Sequence, residues 1–449
     1  MDRYDLIVVG TGAGGGGVAS RCAKAGWRVA IIDDEPYGGT CALRGCDPKK
    51  VLAGASELID WHRRMTGRGV RGETSLDWAA LMKFKRTFTE PVPARQESTY
   101  KKLGIISYHG IGRFSAPDRF VADGKELESR FFVIASGARP APLGIPGETH
   151  VKNSTDFLAL DTLPSRITFI GAGYIAFELS HIAARAGSKV VLLGRGRPLR
   201  QFDPDLVARL VEHTKTLNVD VRVESAVTAV EQVSSELLVK FRGATGDDFI
   251  RCDLVVHAAG RTPKTSELAL EAGNVESDER GAIRVNQWLQ SVTNPRVYAA
   301  GDAAASPGAL PLTPVAGHQS AIVASNLLHG NSKTPDYRAI PSVVFTTPAL
   351  AAVGLTEEKA RAEGLKVRVK SESTGNWFSN RRVAEETAMY KTIADESTGR
   401  MLGAHLLGPH AEDVINVFAL AIRHGLTGRD LAHAIYAYPT SSSDVAYMV

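Results

Sequence analysis

One pattern occurs twice in this chain: an apolar strand, a glycine-rich turn and a helical stretch. The strand Asp5–Val9 runs into GTGAGG, and the strand Ile167–Ile170 runs into GAGYIA. In such a unit the first glycine permits a tight turn, the second lets the backbone approach a diphosphate, and a small third residue lets the helix pack on the strand. The glycines in these positions are Gly10, Gly12 and Gly15 in the first copy and Gly171 and Gly173 in the second. The repeat predicts an α/β chain with two Rossmann-like domains, each of which holds a diphosphate at a helix N-terminus.

The two copies differ in charge where a ribose would bind. Asp33 lies 23 residues after Gly10, where a carboxylate accepts hydrogen bonds from ribose hydroxyls. The same count from Gly171 reaches Gly194, which is followed by Arg195, Arg197 and Arg200. A carboxylate repels a 2′-phosphate, whereas arginines bind it through charge-assisted hydrogen bonds. If two arginines, Arg195 and Arg200, each contribute about 1.5 kcal/mol, NADPH is favoured over NADH by roughly 100-fold. The alternative is a solvated arginine loop that binds nothing.

A close pair of cysteines follows the first nucleotide unit, in the segment GGTCALRGCDPKK. Cys41 and Cys46 are separated by four residues, about one helical turn, so their side chains can meet on one face. A structural zinc site needs four ligands, and no second cysteine or histidine cluster is evident in the sequence. Two inert buried thiols are the other alternative, which the flanking glycines and lysines disfavour. The pair is therefore predicted to be redox-active.

The overall composition narrows the class of protein further. A length of 449 residues exceeds one ordinary domain, and 44% apolar with 23% charged residues is typical of a soluble globular protein. A formal net charge of +4 gives no reason to expect a nucleic acid or an anionic membrane as partner. The first strand begins almost at the N-terminus, so no signal peptide is expected. These totals predict a cytoplasmic enzyme.

Six motifs give the chain a resemblance to a known family. They are GGTCALRGCDPKK, GAGYIAFE, HAAGRTPKT, VYAAGDAAA, LTPVA and FTTPALAAVGLTE. From Tyr4 almost to its C-terminus, the chain resembles the pyridine nucleotide-disulfide oxidoreductases, such as glutathione reductase, dihydrolipoamide dehydrogenase and mercuric reductase. The resemblance implies an oxidoreductase with FAD and NADPH as cofactors, with FAD- and NAD(P)-binding Rossmann-like domains and a C-terminal α+β dimerisation domain. It also implies a homodimer in which the C-terminus of one subunit completes the active site of the other.

The same resemblance divides the chain into four segments. Residues 1–149 are expected to form the first segment of the FAD-binding domain, and residues 150–265 the NADPH-binding domain. Residues 266–338 are expected to return to the FAD-binding domain, and residues 339–449 to form the dimerisation domain. The NADPH-binding domain is thus predicted to be an insertion in the FAD-binding domain.

The matching motifs imply roles for individual residues. Cys46 resembles the thiol that faces the flavin in charge transfer, and Cys41 the interchange thiol that attacks the substrate disulfide. Lys49 resembles the lysine near the reactive end of the flavin, paired with Glu178, where positive charge stabilises the reduced ring. Tyr174 resembles the residue that covers the isoalloxazine and moves aside for nicotinamide. The other cofactor-binding positions implied by the resemblance are Thr40, Gly112, Ser136, Gly260, Arg261, Asp302 at the ribityl chain, and Thr313.

The C-terminal sequence AYPTSSSDVAYMV departs from the family pattern. Disulfide reductases of the family have His-Pro-Thr here, followed by a glutamate that orients the histidine, and Tyr438 stands in the histidine position. Ser443 falls at the glutamate position, Asp444 is one residue later, and His433 is a further conceivable replacement. Tyrosine has a pKa of about 10 rather than about 6.5, so it donates a hydrogen bond but is a poor base. Because losing a positioned acid–base costs about 10²–10⁴-fold in rate, turnover of ordinary disulfides is expected to be impaired.

Asp47 is a second departure, because the family usually has an apolar residue between the second cysteine and the proline. A carboxylate beside Cys46 is expected to raise the pKa of that thiol unless Lys49 or Lys50 offsets it.

The known members of the family fit this chain unequally. Mercuric reductases also have a tyrosine in place of the histidine, but they need a C-terminal cysteine pair, and no cysteine follows Cys252. The glutathione-binding positions of glutathione reductase are not recognisable, and dihydrolipoamide dehydrogenase has an acid where Gly194 lies. We predict an NADPH-dependent reductase of a small-molecule disulfide or thiol-reactive electrophile, with Tyr438 as hydrogen-bond donor. The alternatives are a diaphorase that reduces quinones or metal ions directly at FAD, and a non-catalytic flavoprotein.

Overall fold

A computed structural model describes residues 2–449. Contacts between Cα atoms divide the chain into two units, each assembled from segments that are distant in the sequence. The first unit contains the residues up to Pro48, Phe84–Ala141 and Arg261–Tyr337. The second contains Lys49–Lys83, Pro142–Gly260 and Arg338–Val449. The helices Cys46–Met65 and Trp78–Thr89 each begin in one unit and end in the other.

The first unit is built on a seven-stranded sheet. Its parallel strands are Ile106–His109, Val29–Asp33, Asp2–Val9, Lys125–Ile134 and Val297–Ala299, and the antiparallel strands Arg119–Ala122 and Arg113–Ala116 extend it. Ile7 and Phe132 pack in the core on one face, whereas Val8 and Val133 pack in the core on the other. Because both faces are covered, the central strands read as continuous apolar runs.

The parallel register of this sheet brings one end of three strands together. Val9 lies opposite both Ile32 and Ile134, so Gly10, Asp33 and Ala135 follow at the same edge. Ligands of such sheets bind outside the carboxyl ends of the strands. The helices of the unit are Gly16–Lys24, Gly39–Arg44, Val92–Lys102 and Thr313–His329, and its short strands are Ala138–Pro140, Arg261–Pro263, Ile283–Arg284 and Ala304–Ala305.

The second unit contains a five-stranded parallel sheet. Its strands, in spatial order, are Val219–Arg222, Lys189–Leu193, Arg166–Ile170, Leu254–His257 and Lys152–Asn153. The helices of this region are Ser154–Phe157, Tyr174–Arg185 and Pro204–Thr216, and an antiparallel ribbon is formed by Ala226–Val233, Glu236–Gly243 and Gly246–Cys252. Phe169 and Phe177 are fully buried between the sheet and the Tyr174–Arg185 helix. This is the second nucleotide unit of the sequence.

An antiparallel five-stranded sheet forms the rest of the second unit. Its strands, in spatial order, are Ser342–Val344, Ala349–Gly354, Met401–Gly408, Met389–Asp395 and Val367–Ser373. The helices are Glu357–Ala362, Phe378–Arg381, Ala411–Arg423, Gly428–His433 and Val445–Met448. The Ala411–Arg423 helix buries Val414, Ile415 and Phe418 against this sheet, at the three- and four-residue spacing of an amphipathic helix.

The structure confirms the predicted α/β class with two strand–turn–helix nucleotide units. The division at residues 149, 265 and 338 stays a prediction. Within residues 2–449, no helix combines the length and the apolar character that crossing a bilayer requires.

Candidate active site

The first nucleotide turn packs too tightly for side chains. Gly10 has a φ of +103°, and a Cβ atom there would lie 2.2 Å from the carbonyl oxygen of Ala135. A Cβ on Gly15 would lie 2.0 Å from the carbonyl oxygen of Gly10. Both contacts are far shorter than van der Waals distance, so only glycine allows the helix Gly16–Lys24 to start this close to the strand ends. The start of this helix can therefore offer its free N–H groups to a diphosphate.

Hydrogen bonds connect the Asp33 carboxylate to this turn. Its Oδ2 accepts hydrogen bonds from the Thr11 N–H at 2.7 Å and from the Thr11 hydroxyl at 2.6 Å, and its Oδ1 accepts one from the Glu35 N–H at 3.1 Å. A cavity of about 30 Å³ adjoins it, lined in part by Gly10, Asp33, Gly112, Ser136 and Lys264. The structure thus brings together four of the positions predicted to bind the first dinucleotide.

The second nucleotide turn repeats this geometry without the acid. Gly171 has a φ of +126°, and a Cβ there would lie 2.3 Å from the carbonyl oxygen of Ala258. The helix that follows begins at Tyr174 and has no side-chain cap, which leaves its first N–H groups available to a ligand. Tyr174 itself is 46% exposed.

The three arginines after Gly194 have different surroundings. Arg195 and Arg200 are exposed to solvent. Arg197 lies 3.7 Å from the carboxylate of Glu358 and donates a hydrogen bond to the Arg200 carbonyl at 3.0 Å. The arginines predicted to contact a 2′-phosphate, Arg195 and Arg200, therefore lie where a ligand in solution can reach them.

The two cysteines lie on two different helices. Cys41 lies in the helix Gly39–Arg44, and Cys46 is the first residue of the helix Cys46–Met65. The single helical turn expected between them is wrong, because Gly45 has φ −141° and ψ −110° and interrupts the helix. A Cβ on Gly45 would lie 2.8 Å from the Thr40 carbonyl oxygen, so this bend needs glycine. The sulfurs nevertheless meet, as free thiols joined by a hydrogen bond.

Thr313 lies against the same two thiols. Its hydroxyl oxygen is 3.4 Å from the Cys46 sulfur, and Thr313 is the first residue of the 17-residue helix Thr313–His329. A hydroxyl donor and the positive end of a helix both favour a thiolate. The resemblance implied only a flavin contact for Thr313, and nothing in the local sequence around either residue indicates its contact with sulfur.

The surroundings of Cys41 favour the protonated form of its thiol. The hydrogen bond with Cys46 and burial both raise the pKa of the Cys41 thiol, while Thr313 lowers it in part and Asp47 adds to the increase. The pKa of the Cys41 thiol therefore lies above its ordinary value, and the Thr313 hydroxyl lies beside the Cys46 sulfur. The effect of Asp47 on the pKa of Cys46 stays a prediction.

Lys49 and Glu178 form a buried ion pair. Lys49 Nζ lies 2.8 Å from Glu178 Oε1, with side chains only 12% and 4% exposed. The Phe345 N–H donates a second hydrogen bond of 2.8 Å to the same oxygen, and Lys49 Nζ lies 4.2 Å from the centre of the Phe345 ring. Phe345 belongs to the FTTPAL motif, but its sequence gives no sign of a backbone contact with Glu178.

Asp302 is a half-buried carboxylate at the turn Gly301–Ala303. Burial raises the pKa of its carboxyl, and the charge of Arg261 lowers it in part. Arg261 also donates a hydrogen bond to the carbonyl oxygen of Ala138. A ligand with hydroxyl donors beside Asp302 would stabilise its ionised form, which suits the predicted contact with a ribityl chain.

The candidate residues near the C-terminus have different surroundings within this chain. Tyr438 is 78% exposed. Asp444 accepts a hydrogen bond from the Ser379 hydroxyl, and Ser443 caps a turn with Thr440. His433 is the last residue of the helix Gly428–His433. In this chain Asp444 therefore contacts Ser379, and within residues 2–449 the structure shows no contact through which it would orient Tyr438.

Comparison with known proteins decides the family. Residues 4–320 match the pyridine nucleotide-disulphide oxidoreductases, and residues 340–449 match the dimerisation domain of the same family. The chain belongs to the pyridine nucleotide-disulphide oxidoreductase family. It is 34% identical to a glutathione reductase of Burkholderia cepacia, over 99% of this chain and 98% of the relative. It is 31% identical to a mercuric reductase of Staphylococcus aureus, over 97% of this chain and 80% of the relative.

A solved structure shares the whole fold of this oxidoreductase. It is the Cu(II) complex of a cysteine-to-serine variant of RclA, an HOCl-induced flavoprotein disulfide reductase from Escherichia coli. The TM-score is 0.90 at 27% sequence identity, over 100% of this chain and 99% of the other. The family membership confirms an oxidoreductase that uses FAD and NAD(P)H, with a C-terminal dimerisation domain.

The residues at the first nucleotide turn fit FAD. Among the described residues, the buried Ser136 hydroxyl has no hydrogen-bond partner, and Ser136 lines the same cavity as Asp33. A polar ligand in that cavity would satisfy it, as buried hydroxyls require. Gly10, Gly12 and Gly15 leave room for a diphosphate, and Asp302 provides a half-buried acceptor for hydroxyl groups.

Proposed function

We propose that this oxidoreductase uses NADPH to reduce a disulfide or another thiol-reactive small molecule through Cys41 and Cys46. The observation that carries the proposal is the pair of hydrogen-bonded thiols at the start of the Thr313–His329 helix. Bound FAD supplies the transfer of two electrons from NADPH to the Cys41–Cys46 disulfide. A homodimer in the cytoplasm, where reducing conditions keep thiols available, is the predicted setting.

The dithiol accounts for reduction of a disulfide in two exchanges. The Cys41 sulfur attacks one sulfur of the substrate, so the first substrate thiolate leaves and a mixed disulfide forms. The Cys46 thiolate then attacks the Cys41 sulfur, so the second substrate thiolate leaves and the Cys41–Cys46 disulfide forms. The two substrate thiolates take up two protons, one released by the dithiol and one from solvent. The Thr313 hydroxyl stabilises the Cys46 thiolate until this second attack.

Thr313→Val tests that contribution. We expect alkylation of Cys46 by iodoacetamide at neutral pH to slow by about tenfold, because a hydrogen bond to a charged group contributes about 1.5 kcal/mol. Site-specific labelling of the NADPH-reduced enzyme, read by mass spectrometry, gives the rate. Thr313→Ser keeps the hydroxyl and is expected to keep the rate. Equal rates in the valine and serine variants would contradict the proposed contact.

We propose that Tyr438 of one subunit donates a hydrogen bond at the dithiol of the other. Family resemblance and the exposure of Tyr438 support this role. A neutral phenol donates a hydrogen bond but does not shuttle a proton at neutral pH. The enzyme is therefore expected to favour substrates whose leaving group needs little protonation over simple alkyl disulfides.

Tyr438→His tests this assignment. The histidine is expected to raise turnover of glutathione disulfide by about tenfold or more, because a positioned acid–base contributes about 10²–10⁴-fold. The pH profile should gain an inflection near the pKa of histidine, about 6.5. Tyr438→Phe, which removes only the hydroxyl, is the control and should lower turnover. If both variants match the wild type, Tyr438 takes no part in proton supply.

We also propose that the Lys49–Glu178 pair places positive charge at the reactive end of the flavin, as the family resemblance implies. The short, buried contact supports a fixed charge at Lys49. NADPH is the proposed donor, since Gly194 stands where an acid would repel the 2′-phosphate and Arg195 and Arg200 are exposed.

Reduction of a metal ion is a second candidate. It is favoured by the name of the mercuric reductase relative and by the Cu(II) in the RclA structure. Turnover of glutathione disulfide, coenzyme A disulfide, trisulfides, quinones, Cu(II) and Hg(II) should be compared in the wild type and in Cys41→Ser. Loss of disulfide turnover in the variant supports the first function. Activity with quinones or metal ions alone, unchanged in Cys41→Ser, supports reduction directly at FAD.

A further inference from the structure

A buried row of polar side chains runs along the Tyr174–Arg185 helix. Glu178, His181 and Arg185 are spaced by three and four residues and share one face. Each is at most 3% exposed. Polar groups buried this deeply are normally satisfied by specific partners. The partners of this row belong to three other segments: the backbone of residues 345–347, the residues of the helix Cys46–Met65 from Lys49 onward, and the helix Pro204–Thr216.

The backbone of residues 345–347 runs alongside Glu178, His181 and Arg185. Phe345 N–H donates to Glu178 Oε1 at 2.8 Å, and Thr347 N–H donates to His181 Nδ1 at 3.2 Å. Arg185 Nη2 donates to the Thr347 carbonyl at 2.8 Å. Because His181 Nδ1 accepts, its proton lies on Nε2, which donates to the Thr214 hydroxyl at 2.9 Å. Burial lowers the pKa of His181 well below its ordinary value, in keeping with a neutral ring.

The ends of the row form ion pairs with one helix. Glu178 pairs with Lys49 at 2.8 Å, and Arg185 donates to Asp60 Oδ1 through Nη2 at 2.6 Å and Nε at 3.1 Å. Lys49 and Asp60 are about three turns apart, and Glu178 and Arg185 about two, so each pair of residues faces the same side of its helix. Burial raises the pKa of Asp60, but Arg185 and Arg64 outweigh it and keep the net pKa below its ordinary value. Asp60 is therefore ionised.

We propose that Arg185 is a positioning residue for the Lys49–Glu178 pair. Arg185 contacts both segments that pack beside its helix: it binds Asp60 of the helix Cys46–Met65 and the Thr347 carbonyl of the 345–347 backbone. It thereby holds the helix at the one separation from which Glu178 Oε1 reaches both Lys49 Nζ and the Phe345 N–H. This inference rests on the role proposed above for the Lys49–Glu178 pair. Arg185 acts through Glu178 and touches neither cofactor nor substrate.

Arg185→Lys tests the proposal with little change in charge or volume. A lysine keeps one bond to Asp60 but does not span Asp60 and Thr347 together. We expect NADPH to reduce the enzyme-bound flavin about tenfold more slowly in stopped flow, as coupled residues allow. Hydrogen exchange of the Phe345 amide, which reports directly on Glu178, should speed up by a similar factor. Asp60→Asn should shift both quantities in the same direction.

A double-mutant cycle separates positioning from general stability. If Arg185 acts through Glu178, Arg185→Lys should change the reduction rate less than about twofold in a Glu178→Gln background. Lys391→Met is the matched control, because Lys391 forms another buried ion pair of this unit, with Asp203 at 3.1 Å. It should lower the melting temperature while flavin reduction and Phe345 exchange stay within about twofold of the wild type.

Three outcomes would contradict either the positioning role of Arg185 or the function proposed for the Lys49–Glu178 pair. Multiplicative effects of Arg185→Lys and Glu178→Gln would show that Arg185 does not act through Glu178, and the positioning proposal would be wrong. The same conclusion follows if Phe345 exchange is unchanged in Arg185→Lys. A Glu178→Gln variant with a normal rate of flavin reduction would instead refute the function proposed for the Lys49–Glu178 pair, and Phe345 exchange would still decide whether Arg185 positions Glu178.

Discussion

Cys46→Ser is expected to lower NADPH-dependent disulfide turnover by at least about 10³-fold, the scale of removing one member of a catalytic unit. Without the second sulfur, the mixed disulfide on Cys41 has no internal thiolate to resolve it. The variant should also lack the long-wavelength absorbance that a thiolate against the flavin ring gives after reduction by NADPH. Steady-state turnover and stopped-flow spectra measure the two effects.

The control for this substitution is Cys252→Ala. Cys252 is a buried thiol of the second unit, 1% exposed, with no part in the proposed path. Its removal should leave turnover and spectrum unchanged, and both variants should retain FAD. A Cys46→Ser enzyme with normal disulfide turnover would place the second cysteine outside the route of the electrons.

Replacing Arg195 and Arg200 together by alanine is expected to lower the preference for NADPH over NADH by roughly 100-fold, since each charge-assisted hydrogen bond to the 2′-phosphate contributes about tenfold. The loss should appear in kcat/KM for NADPH while kcat/KM for NADH stays nearly constant, because NADH has no phosphate at that position. Steady-state kinetics with both coenzymes give the ratio.

Arg251→Ala is the matched control for the coenzyme experiment. Arg251 is an exposed arginine of the same unit, on the antiparallel ribbon, paired with Glu236 at 3.3 Å. It should leave the preference unchanged. An equal loss with NADPH and NADH in the double variant would mean that the two arginines support the fold of the loop rather than recognise the phosphate.

The geometry of the two glycine-rich turns was largely predictable from the sequence, because it depends on residues that are close together in the chain. Gly10 and Gly171 must be glycine for the turn, and Asp33 and Gly194 follow at the same distance along the chain. A few residues in sequence therefore specify the turn, the helix start and the charge at the end of the second strand of each unit. The strand Asp2–Val9 was also predictable, because a strand that is covered on both faces has a continuous run of apolar residues.

The surroundings of the cysteines were not predictable in the same way. The segment between Cys41 and Cys46 is compatible with one helix, but Gly45 bends the chain and starts a second one. Thr313 is 267 residues from Cys46 in sequence, and only the assembled fold brings its hydroxyl to the sulfur. Contacts between residues so far apart in sequence depend on the packing of the folded chain, and they leave no periodic pattern in the sequence.

The burial of His181 and Arg185, which follow Glu178 along the same helix, was also not predictable from the sequence. In the helix Tyr174–Arg185, both His181 and Arg185 are compatible with an exposed polar face. Both are buried because Asp60 and the Thr347 backbone provide partners from distant segments. A single sequence does not reveal such partners, so the positioning role of Arg185 could be inferred only from the structure.

The most direct test follows the two sulfurs during reduction. The oxidised enzyme would be mixed anaerobically with increasing NADPH, alkylated, and analysed by mass spectrometry for modification of Cys41 and Cys46. We expect neither residue to be alkylated before NADPH is added, and both to become alkylated in proportion to the NADPH consumed. If the two cysteines stay unmodified while the flavin is reduced, or react to the same extent without NADPH, electrons do not pass through them.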